Sequence, residues 1–142
     1  MKPIPILAAA LATLALPAAA QAGTVTVDLT GVRAGGTLYV QLQTRDQFLG
    51  QDRAVGKLVR VPQAGALRVE LPDVPPGDYA VSVWHDQNDN RRMEIDPSQG
   101  QAVDGWAMLG GAAIRARPEF DQVKLSVPAA GAQVPLALRY GF

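Results

Sequence analysis

Apolar and polar residues alternate in several short stretches of the chain, and Gly or Pro separates one stretch from the next. In Thr24 to Leu29, Gly36 to Gln43 and Gly77 to Trp84 the side chains change character at nearly every position. A period of two is typical of strands with one buried face. The pattern predicts seven strands, at 24–29, 36–43, 57–61, 66–71, 77–84, 121–127 and 133–140.

Turn signals between these stretches indicate how the strands are arranged. Strands of this length at this spacing predict an all-β fold, a single antiparallel sandwich of two sheets. No stretch keeps a 3.6-residue apolar stripe, so helices are expected as single turns at most. Thr44 to Gly56 and Asp86 to Gly111 are predicted as long irregular segments, and long loops in small domains are often functional.

The turn at Pro75 and Pro76 carries a separate prediction. Gly77 completes the turn, and Tyr79 follows just inside the next strand. A tyrosine at this place often buries its ring and donates its hydroxyl to backbone a few residues upstream, as in the tyrosine corner of Greek-key sandwiches. We expect this structural role for Tyr79 rather than a catalytic one.

The first 22 residues have the features of a secretory signal peptide. Lys2 precedes an apolar stretch from Ile4 to Leu16, and small residues around Ala20 and Ala22 suit a signal peptidase. The apolar stretch is too short for a transmembrane helix, which needs about 20 residues. We therefore expect a signal peptide at 1–22, a β-sandwich domain at 23–142, no transmembrane segment in the mature chain, and a periplasmic or secreted location.

Composition narrows the classes of partner and the sources of stability. The chain has no cysteine, so disulfides and a lipid-modified cysteine are excluded, and packing must stabilise the fold. The 13 Lys and Arg residues balance 13 Asp and Glu residues, and loss of Lys2 leaves one net negative charge. This balance supplies no field that would gather nucleic acid.

Few residues suited to catalysis are present. The chain has one histidine, His85, and three serines, and it lacks the common nucleophile and phosphate-binding motifs. Ser82 and His85 are three positions apart on a predicted strand, so their side chains point to opposite faces. We predict that the protein is not an enzyme. The alternative is an envelope hydrolase that uses Asp86, Glu94 and Asp104.

Side-chain oxygens crowd the stretch that follows the strongest strand. With Asp86 as position 1, oxygens fall at position 3 (Asn88), position 5 (Asn90) and position 9 (Glu94), with the carbonyl of Arg92 at position 7. These are the ligand positions of a calcium loop, and calcium prefers six to eight hard oxygens. The spacing therefore predicts a metal site of these five residues, with calcium as the candidate cofactor.

A second interpretation of this stretch needs no ion. Asp and Asn are common in turns because their side chains accept hydrogen bonds from backbone two residues on. Position 6 is Arg91, where calcium loops usually have Gly, and position 12 is Pro97 rather than Glu. A bound ion would accordingly be held weakly, with a Kd of about 10⁻⁴–10⁻³ M.

Three further residues near this stretch are candidates for ligand contact. His85 stands at the strand end, Asp104 extends the acidic region, and Trp106 lies in an apolar segment, 103–108. Trp106 is expected either to fold back as a lid over the rim of the sandwich or to form an aromatic contact surface.

These residues together resemble a known bacterial family, the domain of unknown function DUF2141. Its members are short exported proteins with a Gly-x-Tyr-Ala strand, a His-Asp-x-Asn-x-Asn string and an acidic-Gly-aromatic element. The matches here are Gly77, Tyr79, Ala80, His85, Asp86, Asn88, Asn90, Asp104, Gly105 and Trp106. The family usually has Gly where Arg91 stands and often has Asp where Glu94 stands. The resemblance implies an immunoglobulin-like or transthyretin-like sandwich and implies no activity.

The leading functional hypothesis is an exported, non-enzymatic binding or accessory module of the cell envelope, with an envelope protein or a glycan as its partner. A small β protein associated with the outer membrane is an alternative, because the chain ends in an alternating strand with a terminal Phe142. Strand length argues against it, since strands that cross a bilayer need about 9–11 residues.

Overall fold

The computed structural model describes residues 21–96, 98–99 and 101–141. The strands are β1 Gly23–Val32, β2 Thr37–Gln43, β3 Val55–Arg60, β4 Gly65–Val74, β5 Gly77–Asp86, β6 Ile95–Asp96, β7 Gln101–Ala102, β8 Gly105–Met108, β9 Lys124–Val127 and β10 Ala132–Ala137. Two 3₁₀ turns span Arg45–Gln47 and Gly111–Ala113, and one α-helical turn, α1, spans Phe120–Val123. Most of the predicted signal peptide, 1–20, lies outside the described residues.

The strands form two main sheets. A three-stranded sheet has the order β10-β1-β4, and a five-stranded sheet has the order β3-β2-β5-β8, with β9 also paired to β5. Strands β8 and β9 share one edge of β5, where β8 covers its second half and β9 its first half. The short strands β6 and β7 form a separate pair within the long loop.

The hydrophobic core lies between the two sheets. Alternate residues of β1 and β2, such as Val27 and Val40, are almost completely buried, while their neighbours face outward. The core residues come from both sheets and belong to one cluster: Val25, Val27, Leu29, Val69, Leu71, Val134 and Leu136 from one, and Leu38, Val40, Leu42, Tyr79, Val81, Val83, Ala107 and Val127 from the other. The predicted all-β sandwich is confirmed.

The tyrosine corner predicted at the start of β5 is also confirmed. Tyr79 is 6% exposed, and its hydroxyl donates a 2.9 Å hydrogen bond to the carbonyl of Pro75. The ring contributes to the core, and the hydroxyl ties the turn to the strand.

Three details differ from the sequence prediction. Strand β10 runs parallel to β1, in an otherwise antiparallel sandwich. The predicted strand 121–127 begins only at Lys124, because Glu119 and Gln122 exchange capping hydrogen bonds that close the turn α1. The segment 105–108, predicted as loop, forms β8 and extends the five-stranded sheet.

Candidate ligand-binding groove

The outer face of the five-stranded sheet, turned away from the core, carries a row of aromatic side chains. Tyr39 of β2 is the register partner of Trp84 of β5, and Trp84 is the partner of Trp106 of β8. The Tyr39 and Trp84 rings stack with centroids 4.6 Å apart and planes inclined by 24°. We call these three residues the aromatic row. Leu58 of β3 extends it and is 61% exposed.

A second row of residues runs beside the aromatic row on the same face. Gln41 of β2 lies between Gly56 of β3 and Ser82 of β5, and Ser82 is paired with Met108 of β8. The Gln41 side-chain amide donates a 3.1 Å hydrogen bond to the Ser82 hydroxyl. Polar groups therefore lie directly next to an aromatic surface.

Two loops rise beside these rows and make the face concave. One wall comes from the segment 49–53, through Leu49, Gln51 and Arg53, and the other comes from Arg91 and Met93. The space between them, which we call the outer groove, has a volume of about 510 Å³. Small-molecule sites commonly have volumes of about 300–1,000 Å³ and combine an apolar lining with a few polar groups.

Gln43 holds the first wall in place. This side chain is 2% exposed, and its amide nitrogen lies 2.8–3.0 Å from the carbonyl oxygens of Gln47, Gly50 and Asp52. One amide group has two hydrogens, which these three carbonyls share. The predicted irregular segment 44–56 is therefore fixed from below by a buried side chain of β2.

The second wall belongs to the loop predicted to bind a metal. Both carboxylate oxygens of Asp86 accept backbone N–H groups, one from Asn90 at 3.1 Å and one from Arg91 at 2.7 Å. Asn88 accepts the Asn90 N–H through its oxygen and donates to Glu94 at 2.7 Å. Asp86 is completely buried, and its hydrogen bond with the Arg91 N–H fixes the backbone position of Arg91.

The other predicted ligands make similar bonds within the loop. The Asn90 side-chain oxygen accepts the backbone N–H of Arg92 at 2.8 Å. These are the Asx turns of the second interpretation. Among the described residues, no group of three or more His, Cys, Asp or Glu side chains is arranged to hold a metal ion. Calcium binding stays a prediction that the structure does not test.

Two residues of this loop have left-handed backbone. Arg91 has a φ of 63° and Asp89 a φ of 59°, a conformation that costs a non-glycine residue about 1–2 kcal/mol. Arg91 thus adopts the backbone that calcium loops usually reach with Gly. Asp89 accepts a 2.6 Å hydrogen bond from the Thr37 hydroxyl and pairs with Arg60. The Thr37 hydroxyl and then Arg60 hold the pKa of Asp89 below its ordinary value.

Asp104 closes the loop from the side of β8. It is completely buried, and one carboxylate oxygen accepts the indole N–H of Trp84 at 3.1 Å and the backbone N–H of Glu94 at 3.3 Å. The other oxygen accepts the N–H of Gln87 at 3.3 Å. One buried carboxylate therefore joins the aromatic row to both ends of the loop.

His85 is buried on the opposite face of β5, as the odd separation from Ser82 predicts. Its Nε2 lies 2.7 Å from the carbonyl of Gly35, and its Nδ1 lies 2.6 Å from the Tyr140 hydroxyl. The carbonyl can only accept, so Nε2 donates its hydrogen to it, and Nδ1 shares a second hydrogen bond with the Tyr140 hydroxyl. Burial raises the pKa of Tyr140, which keeps the hydroxyl available as a donor.

Of the three residues predicted to contact a ligand, the structure buries two and places one at the outer groove. His85 and Asp104 are both 0% exposed and make hydrogen bonds inside the protein, so neither presents a surface. Trp106 does reach the outer groove, but as part of β8 rather than as a lid. Its backbone exchanges two hydrogen bonds with Arg139, which joins β8 to the chain that follows β10.

The model of a bacterial family described as "Uncharacterized protein conserved in bacteria (DUF2141)" matches residues 25–134. The chain belongs to the DUF2141 family. The matched residues run from β1 to β10, so the family covers almost the whole sandwich. No curated protein and no solved structure matches the chain.

The residues through which the chain resembles DUF2141 have clear structural roles. Asp86 and Asp104 organise the loop, and Gly105 gives room to the Tyr140 ring, which a Cβ at that position would overlap. Glycine at 105 therefore lets the last segment of the chain close over His85. The DUF2141 resemblance thus maps mainly onto the frame that holds the second wall of the outer groove.

Sequence reasoning missed most of the groove itself. Tyr39, Gln41, Arg53 and Met93 were not among the candidate residues, although alternation places Tyr39 and Gln41 on one face of β2. The alternation in β5 likewise places Ser82 and Trp84 together. The sequence does not show which strands are neighbours or in which register they pair, and the groove depends on both.

Proposed function

We propose that this DUF2141 protein is an exported, non-enzymatic binding module that holds a small ligand in the outer groove. The observation that carries the proposal is the aromatic row, which lines a concave face between two loops fixed by buried side chains. Aromatic rings offer a large contact area at low conformational cost, and small-molecule sites are commonly concave with an apolar lining and a few polar groups.

The rigidity of the groove supports binding as its role. Gln43 fixes one wall, and the carboxylates of Asp86 and Asp104 fix the other. A site whose shape exists before the ligand arrives loses less conformational entropy on binding.

The hydrolase alternative would need Asp86, Glu94 and Asp104 to face a substrate. Asp86 and Asp104 are completely buried, and their oxygens accept backbone N–H groups of the loop. This arrangement favours a structural role for both carboxylates. Export rests on the predicted signal peptide, and the N-terminal sequence of the protein recovered from the periplasm would test it.

The two tryptophans make the binding proposal directly testable, because both line the outer groove and the chain has no others. The protein would be labelled with 5-fluorotryptophan and titrated with a mixed library of sugars, peptides and nucleotides. We expect one compound class to shift both fluorine resonances, and Tyr39→Ala to abolish the shift.

Glu70→Ala is the matched control, since Glu70 is exposed on the three-stranded sheet. It should leave the shifts unchanged. Compounds that bind without moving either resonance, or that lose binding in the control as much as in the Tyr39 variant, would place the site elsewhere and overturn the proposal.

In the described part of the chain, no helix is long and apolar enough to cross a bilayer.

A further inference from the structure

Two arginines stand at the walls of the outer groove without a partner. Arg53 and Arg91 line the groove, and neither guanidinium makes an ion pair or hydrogen bond with any described residue. Four other basic side chains are ion-paired: Arg45 with Asp121, Arg60 with Asp89, Arg68 with Asp28, and Lys124 with Asp78. Unpaired guanidinium groups in a groove are complementary to an anion.

The described residues that line the groove include no Asp or Glu, so its lining carries positive charge only. The whole chain has a formal net charge of zero. The positive character is therefore a local property of the outer groove, and arginine favours a planar anion such as a carboxylate, which it can bind in a bidentate manner.

Arg53 reaches the groove because the second row contains a glycine. A Cβ at Gly56 would overlap the Arg53 side chain, which lies across β3 at this point. The absence of a side chain at 56 thus gives Arg53 its path over the sheet.

The floor between the arginines combines a flat apolar surface with hydrogen-bonding groups. The aromatic row lies beside Gln41 and Ser82, and the Tyr39 hydroxyl has no hydrogen-bond partner among the described residues. A sugar ring presents C–H groups on its faces and hydroxyls at its edge, and it satisfies both parts of this floor. A purely apolar ring would leave the polar groups unpaired, which is costly.

We propose that the outer groove binds an acidic saccharide. A pyranose ring lies against the aromatic row, its hydroxyls meet Gln41 and the Tyr39 hydroxyl, and its carboxylate lies between Arg53 and Arg91. This inference rests on the proposed function and adds to it the class of ligand.

The test uses two acidic probes and two controls. Trigalacturonate carries its carboxylates on the sugar rings, and a muramic-acid disaccharide carries its carboxylate on a lactyl arm. The probe that binds with the lower Kd therefore indicates which kind of acidic sugar the groove binds. The methyl ester of trigalacturonate is the uncharged counterpart, and triglutamate is an anion without a sugar ring. Tryptophan fluorescence and titration calorimetry measure each Kd.

We expect at least one acidic saccharide to bind, and its ester and triglutamate to bind at least about tenfold more weakly. Arg53→Gln and Arg91→Gln should each weaken binding by about tenfold or more, which corresponds to about 1.4 kcal/mol. Gly56→Ala, which displaces Arg53 without removing its charge, should also weaken binding. Arg68→Gln removes the same charge from the opposite sheet and should have no effect.

Equal binding of acid and ester, or of acid and triglutamate, would overturn the inference. So would binding that neither Arg53→Gln nor Arg91→Gln alters, or the absence of binding by both acidic saccharides at about 10 mM. In each case the fluorine titration with the mixed library separately decides whether the groove is a binding site, so failure of the saccharide inference is distinct from failure of the proposed function.

Discussion

The three tyrosines of the chain offer a quantitative test of its hydrogen bonds, because their hydroxyls have three different environments. The Tyr140 hydroxyl lies 2.6 Å from Nδ1 of the fully buried His85. The Tyr79 hydroxyl donates to the carbonyl of Pro75 at 2.9 Å. The Tyr39 hydroxyl has no hydrogen-bond partner among the described residues. The same Tyr→Phe change therefore removes a different interaction at each position.

Tyr140→Phe should lower the free energy of unfolding most. It leaves the buried Nδ1 of His85 without a hydrogen-bond partner, which costs about 1–3 kcal/mol. The ring remains against Gly105, and the N–H of Arg33, which also donates to this hydroxyl, is exposed and can bind water instead. We therefore expect a loss of about 2 kcal/mol.

The other two variants calibrate this value. Tyr79→Phe removes one hydrogen bond to a backbone carbonyl and should cost about 1 kcal/mol. Tyr39→Phe should change stability by less than about 0.5 kcal/mol, as surface substitutions usually do. Urea unfolding followed by circular dichroism measures all three, and with a slope of about 2 kcal/mol per M the Tyr140 variant should unfold at about 1 M lower urea.

The order of the three values is the decisive result. A Tyr140→Phe variant that is as stable as Tyr39→Phe would show that the hydroxyl does not serve His85. The doubly hydrogen-bonded histidine described above would then be wrong, even if the fold itself were correct.

Three further predictions concern the loops and the charged surface. Gln43→Leu should lower stability by about 2 kcal/mol, because three carbonyls of the loop lose their donor, and should increase amide hydrogen exchange across 47–52. The Ser126 hydroxyl and then Lys124 lower the pKa of Asp78 from its ordinary value of 3.8. The ionised Asp78 carboxylate therefore stabilises the fold above this pH, and this stabilisation is lost as the pH falls below it. Urea unfolding between about pH 7 and 3 should show the loss of stability, and Asp78→Asn should make that loss smaller. A loop stabilised only by its own hydrogen bonds should melt at the same temperature in EDTA and in calcium, whereas an ion at 100 times its Kd would add about 2.7 kcal/mol.

Local sequence signals predicted the features that depend on neighbouring residues. Alternation identified β1, β2 and β5 because a strand's two-residue period can be recognised within about six to ten consecutive residues. The tyrosine corner was equally predictable, since the turn at Pro75 and the ring of Tyr79 are four residues apart. The Asx turns of the loop follow from the same kind of short-range pattern.

Features that join distant segments could not be predicted in this way. The aromatic row requires the registers of β2, β5 and β8, which are set by pairing between segments far apart in sequence. Strand β8 has only four residues, too few for alternation to identify it. Asp86 and Asp104 look like surface acids by residue type, yet folding buries both because backbone N–H groups of the loop converge on them.

The indole N–H signals of Trp84 and Trp106 provide the most direct test of the outer groove as a ligand-binding site. They would be recorded in a ¹H–¹⁵N spectrum of the protein while an acidic saccharide is added. A shift of both signals that saturates with the ligand, with the amides of the three-stranded sheet unmoved, is the predicted result. Saturable shifts confined to the three-stranded sheet, with both indole signals unchanged, would contradict the account.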